Sequence, residues 1–146
     1  MKRILFFIAV FINNIVAFSQ VPACDQIIGN WITPKKDLIV SCYKVNGMYY
    51  GKIVWYKNYY DNEHGKNVAV PEDQWLNYVV MKHFSYVGNQ WKNGEIYDLN
   101  SGKKYDSYII LKDANTLKVT GFVWLTIFGQ SMYFNRYTDE KLPPFN

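Results

Sequence analysis

Cysteine and histidine are scarce in this chain, with two of each in 146 residues. Two cysteines cannot staple a miniprotein or complete a four-cysteine zinc site, so the fold must rest on an ordinary hydrophobic core. Two histidines leave little material for metal or triad chemistry. No Gly-rich phosphate loop, nucleophile elbow or zinc-protease helix motif occurs, and no serine is marked out as a nucleophile, so an enzyme reading has no residue to rest on. Charge is low as well, at +4 with acids and bases interleaved. That excludes the strong basic field expected of a nucleic-acid or anionic-membrane binder. There is no internal repeat, low-complexity tract or linker, and the length allows one domain.

Aromatic residues, by contrast, are plentiful. The 9 Phe, 5 Trp and 13 Tyr make up 18% of the chain, against 19% charged residues. A sequence this rich in large apolar groups can offset its ordering entropy, so disorder is excluded.

The first segment reads as an address. Met1-Lys2-Arg3 is a short basic start, and Ile4 to Phe18 is apolar except for Asn13-Asn14. A spanning helix needs about 20 apolar residues, so no transmembrane span is expected. Ala17-Phe18-Ser19 places small residues where a signal peptidase reads, which predicts a signal peptide over 1–19 and a mature domain over 20–146. A second reading is lipoprotein anchoring through Cys24, since Val21-Pro22-Ala23-Cys24 loosely resembles the lipid-acceptor pattern. Loss of Lys2 and Arg3 leaves 14 of 16 basic residues against 12 acidic ones, a net charge of +2. Export also permits a disulfide between Cys24 and Cys42, with the two free thiols as the alternative.

The rest reads as strands. Runs rich in Tyr, Val, Ile and Trp recur over 27–33, 38–45, 48–57, 76–86, 90–98, 103–112, 116–125 and 131–137, separated by turn signals. Asn46-Gly47 is the strongest of these, because both positions of the tight hairpin turn must accept positive φ. A hairpin closed there places Cys42 opposite Gly51, Val40 opposite Ile53 and Leu38 opposite Trp55 on one apolar, inward face. Sequential hairpins make a meander, and a long meander removes its edges by closing. The expected fold is therefore all-β, a single antiparallel meander barrel of about eight strands.

Particular residues then match a family. Gly29-Asn30-Trp31 looks like the G-x-W that opens lipocalin-type barrels. Gly51 to Trp55, Trp91-x-x-Gly94-x-Ile96-Tyr97-Asp98 with Gly102-Lys103-x-Tyr105, and Leu117-x-Val119-x-Gly121-Phe122 followed by Phe128-Gly129 and Phe134-x-Arg136 resemble the uncharacterised exported bacterial domain-of-unknown-function family 2147. The match runs over about 28–137. It implies a lipocalin-like (calycin-type) barrel, exported to the periplasm or exterior of a Gram-negative bacterium, with no established activity and no cofactor. It also implies a barrel-closing pair, Arg136 lying over Trp31.

Chemistry-bearing clusters have plainer explanations. Asp61, Glu63 and His64 are close enough to suggest a metal, but a solvated loop beside Gly65 accounts for them, and no metal site is expected. His83 reads as a half-exposed strand residue. Tyr97, Asp98, Gly102, Lys103 and Tyr105 fit hairpin-turn chemistry better than a proton relay. The remaining functional signal is the aromatic lining. Trp55, Trp91, Phe122 and Trp124 are expected to point inward, with Gly51 and Gly121 leaving space beside them. Two functions follow: a barrel whose mouth takes a small apolar or aromatic ligand, or a filled barrel that contacts a protein or glycan partner through exposed tyrosines such as Tyr49, Tyr59, Tyr60 and Tyr133.

Overall fold

The computed structural model describes residues 20–57, 75–99, 101–122 and 130–143. A short 3-10 turn, Ala23–Asp25, precedes β1 (Gly29–Ile32), β2 (Leu38–Val45), β3 (Met48–Tyr56), β4 (Val79–Val87), β5 (Gln90–Asp98), β6 (Lys103–Asp113), β7 (Thr116–Phe122) and β8 (Gln130–Tyr137). Each strand pairs antiparallel with its neighbour in sequence, and β8 pairs back onto β1 to close the barrel. The Asn46-Gly47 hairpin forms with φ of 49° and 80°, and Val45 faces Met48 across it. Gly88-Asn89 repeats the device between β4 and β5 with φ of 58° and 62°. At Asp113, a side-chain oxygen accepts from the Asn115 N–H at 2.8 Å and turns the chain into β7.

Alternation along each strand sets the two faces. The inward set includes Trp31, Val40, Cys42, Tyr49, Ile53, Met81, Phe84, Trp91, Ile109, Leu117, Val119 and Phe134, all buried in one contiguous cluster. Two of the three β2–β3 pairs expected on the inward face hold, and the third is corrected. The register shifts between Ile39 and Val40, so that Leu38 faces Tyr56 and Trp55 faces Ile39. A one-residue slip moves a side chain to the other face. Leu38 and Tyr56 accordingly pack against the interior cluster, whereas Trp55 and Ile39 are buried outside it.

Strand direction gives the barrel two unlike ends. β2, β4, β6 and β8 finish at one end, beside the 3-10 turn, and it is closed. β1, β3, β5 and β7 finish at the other, the mouth. There the Thr33 hydroxyl engages the Asp37 carboxylate and accepts from the Asp37 and Leu38 N–H groups, which fixes the β1–β2 connection.

Candidate functional site

The closed end is built on Trp31, which has no solvent exposure. Its indole N–H donates to the Ile27 carbonyl at 2.8 Å, so the ring is buried without an orphaned donor. The Arg136 guanidinium lies 4.2 Å from the Trp31 ring centroid, and the two residues are register partners across the β1–β8 seam. The same guanidinium donates to the carbonyls of Ala114 at 2.8 Å, Gln26 at 2.8 Å and Ile28 at 3.4 Å. One side chain thereby ties the 3-10 turn, the β6–β7 turn and the last strand together. The cation–π contact contributes about 0.5–2 kcal/mol.

The 3-10 turn is a plug. Trp91 donates its indole N–H to the Cys24 carbonyl at 3.0 Å. Asp25 accepts from the Tyr49 hydroxyl at 2.6 Å and from Lys44 at 2.9 Å. Hydrogen bonding to Lys44, then to Tyr49, holds the Asp25 carboxyl below its ordinary range. Burial, followed by that bond to Asp25, raises the Tyr49 phenol and keeps it neutral. Tyr49 is therefore not the exposed contact residue expected from the sequence. It is only 2% exposed, because position 49 shares its face with Gly51 and Ile53. Asp25 and Lys44 carried no sequence signal, since their meeting depends on where the turn docks.

The thiols of Cys24 and Cys42 are free, the second of the two arrangements that export permits. Cys42 points into the sealed interior, while Cys24 sits on the plug with its thiol toward Asp25 at 3.6 Å. Burial pushes the Cys42 thiol up to about 12, so it stays protonated and unreactive.

Above the plug the described inward side chains pack against one another. Trp91 is inward, packed edge-on against Tyr49 at 6.2 Å and tilted against Tyr86 at 5.0 Å. The spaces expected beside glycines are occupied. A methyl group at Gly51 would lie 2.7 Å from the Met81 sulfur and 2.9 Å from Val40, and one at Gly94 would collide with the Phe84 ring. At Gly121 the fit is looser, with Ile96 Cδ1 the nearest atom at 3.2 Å. Among the described residues the best-formed gap is bounded by Trp31, Val40, Cys42, Met81, Leu117 and Phe134, and it has no room for a water molecule.

Of the four aromatics expected to line a pocket, Trp91 is thus core and Trp55 is displaced from the interior by the β2–β3 slip. Phe122 ends β7 and is described in its backbone alone, and Trp124 lies outside the described residues, as do Tyr59, Tyr60, Asp61, Glu63 and His64. Tyr133 is exposed, at 46%. The Asp98 to Gly102 turn carries hairpin chemistry: the Gly102 N–H donates to the Asp98 carbonyl at 2.8 Å, and Ser101 donates to the Asp98 carboxylate at 2.7 Å.

Comparison with known proteins agrees with this architecture. A solved structure described as protein HP1028 from the human pathogen Helicobacter pylori, belonging to the lipocalin family, superposes with a TM-score of 0.56 at 21% identity. The match covers 82% of this chain and 92% of that one, and at such identity it shows the fold alone. No functionally curated protein matches. The family model for an uncharacterized protein conserved in bacteria (DUF2147) matches residues 29–136, from the glycine that opens β1 to the arginine that closes the barrel. The chain belongs to the DUF2147 family, on a lipocalin-like eight-stranded barrel.

Proposed function

We propose that this protein is an exported, non-catalytic barrel that works through its outer surface. One observation carries the reading: the interior between Trp31 and Met81 is packed by its own side chains, with no room for a water molecule. Ligand sites need a few hundred Å³ of lined space. A small apolar ligand held at the mouth, beside Ser107 and Gly121, is the alternative, favoured by the small size of those two inner residues. Titration with the apolar dye N-phenyl-1-naphthylamine separates the two. The filled barrel gives no saturable fluorescence gain and no Trp quenching, and saturable one-to-one binding overturns it.

Export rests on the basic start, the apolar run and Ala17-Phe18-Ser19. Expression of the full chain in a Gram-negative host should yield a periplasmic protein whose mass begins at Gln20. Retention of the uncut chain in the cytoplasm overturns the export reading.

A further inference from the structure

The outer face of β2 to β5 carries a row of rings that the packing of the core does not use. Tyr43 on β2 and Tyr50 on β3 are direct cross-strand partners, with ring centroids 5.8 Å apart and planes 22° from parallel. His83 on β4 extends the row, its ring 5.5 Å from Tyr50 at 72°. Both tyrosines are half-buried and His83 is exposed. His83 reaches this position through an irregularity. Its φ is +62°, and it stands with Lys82 between the inward residues Met81 and Phe84. Two consecutive residues are thereby turned outward. A non-glycine residue in the left-handed region within a strand is costly and persists when the surroundings hold it there.

Charge on the same face is mostly basic. Lys52 lies one step beyond Gly51 from Tyr50, Lys82 is next to His83, and Lys92 faces Ser85 across β4–β5. Among the described outward residues of these four strands the one carboxylate is Glu95, which stands opposite Lys82 across β4–β5 and pairs with Lys104 at 3.2 Å. Asn93, whose amide reaches Ser85 at 3.2 Å, adds a polar group at the border.

We infer that this face binds an acidic polysaccharide, a chain whose sugar rings stack along Tyr43, Tyr50 and His83 while its carboxylates meet Lys52, Lys82 and Lys92. The inference deepens the outer-surface reading and rests on it. Sugar rings present apolar C–H faces, whose hydrogens are attracted to the electron-rich face of an aromatic ring. The row places rings about one sugar apart. The lysines add charge-assisted bonds that are weakened by salt. A nucleic acid would need a denser basic field than three lysines in a domain of low net charge.

The test is titration of the mature protein with alginate oligosaccharides, with dextran oligosaccharides as the neutral probe and a single-stranded DNA 12-mer as the competing polyanion. Saturable alginate binding is expected, at least tenfold tighter than either control and falling as salt rises. Lys52→Glu with Lys92→Glu should weaken it more than tenfold without touching the core. Tyr50→Ala should weaken it about as much, with near-UV circular dichroism checking the fold. Equal binding of DNA, no binding of alginate, or binding unchanged in the lysine variant overturns the site. Those results leave the filled barrel standing, whereas dye uptake by the interior overturns the outer-surface reading itself.

Discussion

The two ends of the barrel solve the same problem differently. At the closed end every large ring has a job in packing and a partner for its polar atom: Trp31 donates to Ile27, Trp91 to Cys24, and Tyr49 to Asp25. Toward the mouth the inner positions Ser107 and Gly121 are small, while Leu38, Tyr56, Trp75 and Tyr78 pack against the cluster. There Trp75, Tyr78 and Tyr97 gather with centroids 5.2 to 6.2 Å apart, and Lys82 stands over Tyr78 at 5.9 Å. Among the described residues, the polar anchoring of the rings is therefore denser at the closed end. The difference also explains why aromatic content alone is a poor guide to a pocket in this fold.

Three variants probe that packing. Trp31→Ala removes the ring that Arg136 covers and should cost about 3–5 kcal/mol in urea unfolding. That is a large share of the about 5–15 kcal/mol available to a small domain. A loss below about 1 kcal/mol would show that the closed end is not the anchor. Next, Gly94→Ala forces a methyl group into the Phe84 ring and should cost about 1–3 kcal/mol. Gly121→Ala, across Ser107 from Gly94, comes tightly against only the far end of Ile96 and should cost less than about 1 kcal/mol. Equal losses in the two glycine variants would show that the Phe84 ring against Gly94 is no tighter a wall than the side chains around Gly121.

The smallest effect concerns acid. Asp25 has its folded pKa lowered from 3.8, so its contribution is present above the unfolded value and is lost as pH falls through the folded one. Melting temperature should drop between neutral pH and pH about 3 more steeply in the natural protein than in Asp25→Asn. Parallel curves would show that the carboxylate does not hold the plug.

Much of the barrel is legible in the sequence because its hairpins are local. Asn46-Gly47 sets the β2–β3 register from two residues, and β2 and β5 run over the expected 38–45 and 90–98. Trp31 and Arg136 are visible through the family resemblance, since nothing in composition links two residues at opposite ends of the chain. The slip at Ile39 and Val40 is not legible, because an extra residue in one strand changes no local pattern. Its effect reaches Trp55, whose face depends on it. Tyr49 was legible in principle: it alternates with Gly51 and Ile53, and strict parity puts it inside. Phe84 over Gly94 needs the β4–β5 register, irregular at His83 and Asn93, where positive φ at a non-glycine leaves no sequence mark.

The seam between β1 and β8 has a kinetic meaning. Every other strand pair joins neighbours in the chain, whereas Gln26 and Arg136 meet across 110 residues. Seven hairpin-like pairings can form early at small entropic cost, and the ring closes only when its two ends find each other. Arg136, reaching three carbonyls and one indole, acts as the latch of that last event. Opening of the barrel should start where it was finished, with the hairpins still intact behind it.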